Sequence, residues 1–237
     1  MLRYLDSDTT ASNISAKEKR VAAQHISVGS VYTMFVNSES DHYEVLQEPI
    51  PRESSTYELF SEWPEIGLVA KKLFKGEELN ERDEGWLREV SEVTGWELND
   101  VIDDLKNINR DPIERVEKYY SLYTEYLEKA KNYYELNDFK QAGEKLYGAV
   151  LALIKYYAAI KGMALVHWSI GKIQRFVINN VKNELRELFI DLLDNTHQLH
   201  EHFYEAHLDE QIFKWRWSRA LKLLERIHDL IRFSNKF

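Results

Sequence analysis

The sequence predicts a mainly α-helical protein, on three observations. Apolar side chains recur at three-or-four spacing through most of residues 111–233, the period of one helix face. Only four Pro and nine Gly interrupt 237 residues, too few for the turn-rich connections of an all-β fold. Capping residues bracket the longest apolar stretch, with Asp138 three residues before Gln141 and Gly162 just past its end.

Residues 1–56 read as a polar arm and a β-hairpin: β-formers in His25–Val36 and His42–Gln47 flank the break NSESD, and Pro49 and Pro51 then stop the pattern. Gly29-Ser30 ahead of Asp41 has the outline of a nucleotidyltransferase loop. Tyr43 occupies the place of the second carboxylate and Glu44 falls on the opposite face, so this match is read as chance.

Residues 57–110 read as an acidic module of three helices, over Pro64–Lys75, Asn80–Val93 and Trp96–Ile108. Gly76 and Gly95 serve as stops, and Thr94 with Glu97 makes a capping box for the third helix. The last two helices have helix-turn-helix spacing. Glu97, Asp100, Asp103 and Asp104 on the second would repel phosphates, which favours packing over DNA binding.

Asp111 and Pro112 open the main domain, residues 111–237. Its first stripe is Ile113, Val116, Tyr120, Tyr123, Leu127, Ala130 and Tyr134, and Asn137-Asp138 turns the chain into a central helix led by Phe139, Ala142, Leu146 and Val150. Glycine inside a helix costs about 1 kcal/mol relative to alanine. Gly143 and Gly148 there therefore predict a closely approaching backbone. Helical pattern continues through His167–Asn180, Val181–Leu208 and Asp209–Phe233, the last with Ile212, Leu221, Leu224, Ile227 and Ile231 inward, making five helices.

Composition narrows the chemistry. The absence of cysteine excludes disulfides, thiol catalysis and thiolate metal sites. No apolar run approaches the roughly 20 residues that span a bilayer, and the start MLRYLDSDTTASN lacks a secretion signal's apolar core. A cytoplasmic protein without a membrane partner is expected. Residues 1–110 carry 12 Lys and Arg against 22 Asp and Glu (net −10), whereas residues 111–237 carry 19 against 18 (net +1).

On a helix, His197, His200, Tyr204 and His207 share one quadrant. The chemical reading is acid–base work by His200, or a metal held by His197 and His200 with Glu201. Zinc-sharing helix histidines usually sit four apart, and no third ligand can be named. No metal or cofactor is therefore expected, and core histidines bonded to tyrosines or carboxylates are the plainer reading. His167-Trp168 lines a pocket or packs at a helix start. Lys214, Arg216, Arg219, Lys222 and Arg226, with Trp215 and Trp217 between them, could hold RNA by charge and stacking or pair with the acidic front half.

Glu144, Lys145, Gly148 and Ala149, then His167-Trp168, Leu199-His200 and Phe203-Tyr204-Glu205, resemble the archaeal PaREP family of the HEPN-like helical group, over about residues 111–233. The resemblance implies an up-and-down bundle that self-associates, in a family without a settled activity. Some HEPN-like proteins cleave RNA without metal, using an Arg and a His a few residues apart. No Arg stands that far before His200 or His228, and Arg20 with His25 lies in the front segment.

The expected function is a non-catalytic interaction or regulatory protein, acting as a homo-oligomer or with a protein partner. Its pocket residues would be His167, Trp168, His197, Tyr204, Glu205 and His207. The first alternative is an HEPN-like ribonuclease or RNA-binding protein, with His200 as acid or base and Arg216 or Arg219 at the phosphate. The second is a helix-turn-helix DNA regulator.

Overall fold

The computed structural model describes residues 34–36, 43–45 and 63–234, the side chains of 34–36, 43–45, 183 and 232–234 excepted. In the unit formed by residues 1–50, β1 (Met34–Val36) pairs antiparallel with β2 (Tyr43–Val45), Phe35 opposite Glu44. The rest of the expected arm and hairpin, with Arg20, His25, Gly29, Ser30 and Asp41, lies outside the described residues.

The second unit, residues 51–237, holds eight described α-helices. Pro64 opens α1 (Pro64–Lys75), and Gly76 ends it at φ 68°, a left-handed position that suits glycine. Asn80 caps α2 (Glu81–Thr94) reciprocally, its side chain accepting from Asp83 N–H while Asp83 accepts from Asn80 N–H. The third helix, α3, is shorter than expected, Leu98–Lys106, with Glu97 as its uncapped N-cap. Thr94 instead closes α2: its hydroxyl donates to the Val90 carbonyl at 2.8 Å and accepts from Trp96 N–H at 3.1 Å. Trp96 is buried, its indole N–H on the Gly148 carbonyl at 2.9 Å, and that anchor delays the helix start.

Asp111 accepts from Ile113 N–H and starts a 3-10 turn, Pro112–Arg115, ahead of α4 (Val116–Glu135). The buried face of α4 is Tyr119, Leu122, Tyr123, Tyr126 and Ala130, while Ile113 and Tyr120 are exposed, so the expected stripe is turned by about one position. Tyr119 and Tyr126 are drawn inward because their hydroxyls donate to Asp104 and Asp100 of α3.

The central helix α5 (Phe139–Ile160) is buried almost all round and packs on α4, α7 and the 3-10 turn. Its Asp138 cap accepts from Gln141 N–H at 3.1 Å. Close approach explains its glycines: a Cβ on Gly143 would lie 2.5 Å from the Leu199 carbonyl oxygen, and one on Gly148 would lie 3.0 Å from Tyr126 and 3.1 Å from Trp96.

Residues 163–168 run without helix before α6 (Ile170–Asn180), so His167 and Trp168 precede that helix instead of starting it. Next come α7 (Asn183–Glu205), ended by Ala206 at φ 51°, and α8 (Glu210–Ser234). Phe213, Trp217, Ala220, Leu224, Ile227 and Ile231 of α8 face inward, and Ile212 is exposed instead. Trp217 stacks on Tyr134 at 4.4 Å between ring centroids, which removes it from any nucleic-acid surface.

Ile66, Leu87, Val101 and Leu105 of α1–α3 belong to the same buried cluster as the core of α4–α8. The front helices therefore close the bundle's core. Among the described residues, no helix is long and apolar enough to cross a membrane.

Candidate functional site

Three places concentrate polar chemistry. The deepest is around Asp104 on α3. Its carboxylate accepts from Lys155 Nζ of α5 at 2.6 Å, from Trp168 Nε1 at 3.1 Å and from the Tyr119 hydroxyl at 2.7 Å, and it pairs with Arg115 of the 3-10 turn. All five side chains are buried.

Burial works against the Asp104 charge, but Lys155 and Arg115 outweigh it and hold this carboxyl below its ordinary pKa. Burial pushes the Lys155 ammonium down to about 8, with Asp104 pulling the other way. The ion pair is thus intact at neutral pH. A carboxyl whose folded pKa is depressed contributes stability above its unfolded value, which is lost as pH falls through the folded one. Stability is expected to fall as pH drops below about 4, the ordinary carboxyl range. In urea melts Asp104→Asn should flatten that acid limb; an unchanged limb would mean that other carboxylates set it.

The second place joins α5 to α7. His200 Nδ1 lies 2.5 Å from Glu144 Oε2, and its ring stacks on Tyr147 at 4.5 Å. His200 and Glu144 are both buried. His197 is 6.1 Å away between centroids, and burial lowers its pKa despite the pull of Glu201, so it is neutral at pH 7. Tyr204 contacts His200 edge-on and donates its hydroxyl to the Glu92 carbonyl at the end of α2. Lys145 beside Glu144 donates to the Gly95 carbonyl, which fastens the same helix end.

His207 does not join this quadrant. Helix α7 stops at Glu205, and His207 turns back to stand 5.8 Å from His202, whose Nδ1 accepts from Leu208 N–H. Glu205 is exposed. Among the described residues, no three His, Asp or Glu side chains are grouped so that they could hold a metal ion.

The third place is a cleft of about 720 Å³ between α6, α7 and α8, lined by Gln174, Asp191, His197, Trp215, Arg216 and Arg219 among others. Arg219 pairs with Asp191 at 3.1 Å, and Arg216 donates to the Asn195 side chain while its own carbonyl accepts from Asn195 Nδ2. Arg226 pairs with Glu184 and Lys214 with Glu210. Among the described residues, Arg216, Arg219 and Arg226 of α8 are thus met by α7, and Lys214 by Glu210 of α8 itself. His200 does not line this cleft: the structure gathers Arg216 and Arg219 around His197 and turns His200 toward α5.

Residues 118–224 match the model of the archaeal PaREP1/PaREP8 family. Over those residues the bundle is similar to that family. No curated protein and no solved structure matches the chain. The PaREP segment contains Glu144, Lys155, Trp168 and His200, whereas Asp104 and Arg115 lie before it. Its buried lysine and indole N–H thus depend on a carboxylate supplied from outside the matched segment. Sequence reasoning missed Asp104, Arg115, Lys155 and Glu144 as partners. The one local signal was charged residues on helix faces that are otherwise apolar.

Proposed function

We propose that the protein is a non-catalytic interaction or regulatory protein, cytoplasmic and self-associating, built on an HEPN-like up-and-down bundle with an N-terminal hairpin and an integral helical module. The observation that carries this reading is the position of His200, buried against Glu144 and Tyr147 on the α5 side of α7. A general acid or base needs hydrogen-bond reach to the substrate. Arg216 and Arg219, which would steady a phosphate, line a cleft that His200 does not enter, beside the carboxylates of Asp191 and Asp194.

A DNA-reading role for α3 has equally little support. Its carboxylates are occupied in packing: Asp100 accepts from Tyr126, Asp103 pairs with Lys118 and Asp104 is buried. RNA binding is the second reading, because Trp215 is 60% exposed with the Arg219 guanidinium 5.9 Å from its ring. A stacking surface of that kind needs no catalysis.

Self-association would use the outer face of α8, where Ile212 and Trp215 lie one turn apart and exposed. Sedimentation velocity should give a dimer that Trp215→Glu converts to monomer; a wild-type monomer at every concentration would remove this part of the proposal. The catalytic alternative is tested by incubating metal-free protein and a folded His200→Ala variant with mixed single-stranded RNA. Neither should cleave it. Cleavage by the wild type alone would overturn the non-catalytic reading.

A further inference from the structure

Residues 206–209 carry the chain from α7 to α8, and His202 of α7 holds this turn twice. Its carbonyl accepts from Ala206 N–H at 3.0 Å, and its ring Nδ1 accepts from Leu208 N–H at 3.0 Å. A backbone N–H can only donate. Nδ1 therefore carries no proton in the closed turn, and the proton of the neutral imidazole sits on Nε2. His202 is 8% exposed, with the Phe213 ring of α8 at 5.6 Å between centroids. Ala206 stands at φ 51°, a left-handed conformation that is strained for a residue with a Cβ and persists only where surrounding contacts impose it.

A proton on Nδ1 would set two N–H donors against each other, and the Leu208 amide would lose its acceptor. The groups around the ring resist that charge. Burial, His207 in the turn and Lys140 of α5 hold the His202 pKa below its ordinary value, so the ring is neutral at pH 7. Phe213 faces it from α8 without charge. Of the acids beside the turn, Asp209 accepts from Ile212 N–H at 2.8 Å, Glu210 pairs with Lys214, and Glu205 is exposed. A histidine whose folded pKa is depressed contributes its full stabilisation above the free value, about 6.5, and loses it as pH falls through the folded one.

We infer that the turn between α7 and α8 is a proton-operated latch: neutral His202 holds the Leu208 N–H and keeps the turn closed, and protonation of His202 releases the turn and the start of α8, where the exposed Ile212 and Trp215 stand.

Amide hydrogen exchange of the full chain tests it, between about pH 7.5 and about pH 5, on either side of the free histidine value. Once the intrinsic pH dependence of exchange is removed, the opening constant of peptides over residues 203–213 should rise as pH falls below about 6.5, with a slope of up to about tenfold per unit for one proton. Peptides over residues 151–155 of α5 should keep theirs. His202→Asn retains an acceptor at the place of Nδ1 and cannot titrate, so its turn should stay closed throughout. His202→Phe lacks the acceptor and should open the turn already at the neutral end. His207→Asn should retain the pH dependence. Nitrogen NMR of the wild-type histidine rings, which needs no variant to fold, should give His202 as the Nε2–H tautomer at neutral pH. A turn whose opening ignores pH, a His202→Asn variant as pH-dependent as the wild type, a closed His202→Phe turn, loss of the dependence in His207→Asn, or an Nδ1–H tautomer would each overturn the latch.

Discussion

Asp104→Ala is expected to lower the unfolding free energy by about 3–5 kcal/mol, the cost of removing one partner from a buried ion pair. Asp104 is 2% exposed, and its loss strands the Lys155 ammonium and the Trp168 indole N–H in the core, with Arg115 losing its partner as well. The effect should exceed that of deleting a methylene, because an uncompensated charge in a dry interior has no water to fall back on. Asp103→Ala, one residue away and at a side chain that is 55% exposed, should cost far less, about 1 kcal/mol. Urea midpoints of the two variants beside the wild type measure the contrast. Equal small effects would mean that water reaches Lys155.

Gly143→Ala should also destabilise, by about 1–3 kcal/mol, the usual cost of overpacking. Helix propensity alone argues the other way, since alanine favours a helix interior by about 1 kcal/mol. The contact decides the sign: the new Cβ would sit 2.5 Å from the Leu199 carbonyl oxygen and 3.2 Å from its Cβ. A backbone atom cannot swing aside as a flexible side chain can, so α5 and α7 must separate. His200 and Glu144, which face each other across the same seam, should loosen with it. Gly85→Ala, with nothing within 4 Å of its Cβ, is the control and should be neutral or stabilising. Thermal melts of both variants give the comparison.

Much of the fold is legible in local spacing because its signals are local. Asn80, Asp111 and Asp138 cap the elements they precede, and Gly76, Gly95 and Gly162 take the left-handed conformation. The glycines of α5 mark close approach, as the backbone contacts at Gly143 and Gly148 show. The candidate site was far less legible. Asp104 reads as one of four carboxylates on an acidic helix, and the partners that give it a role stand 51 and 64 residues away.

His207 was misplaced for a different reason. The periodicity continues to Leu208, but Ala206 takes a left-handed conformation without glycine or asparagine to announce it. Apolar period alone points Ile113, Tyr120 and Ile212 inward, yet all three are exposed. Hydroxyls reaching Asp100 and Asp104 turned α4, and Phe213 with Trp217 set the inward face of α8. Periodicity reports that a helix has an apolar face, and contacts from distant segments decide where that face points.

The central claim is that α1–α3 and the bundle of α4–α8 are one cooperative structure whose buried polar groups serve packing. Amide hydrogen exchange of the intact chain, read by mass spectrometry, tests it most directly, because local opening free energies separate cooperative units. Peptides covering Val101–Leu105 of α3 and Leu151–Lys155 of α5 should exchange through openings of the same free energy, and Asp104→Ala should lower both together. Exchange in α3 through openings cheaper by more than about 2 kcal/mol, with α5 still protected, would contradict the claim and make the front helices a separable module.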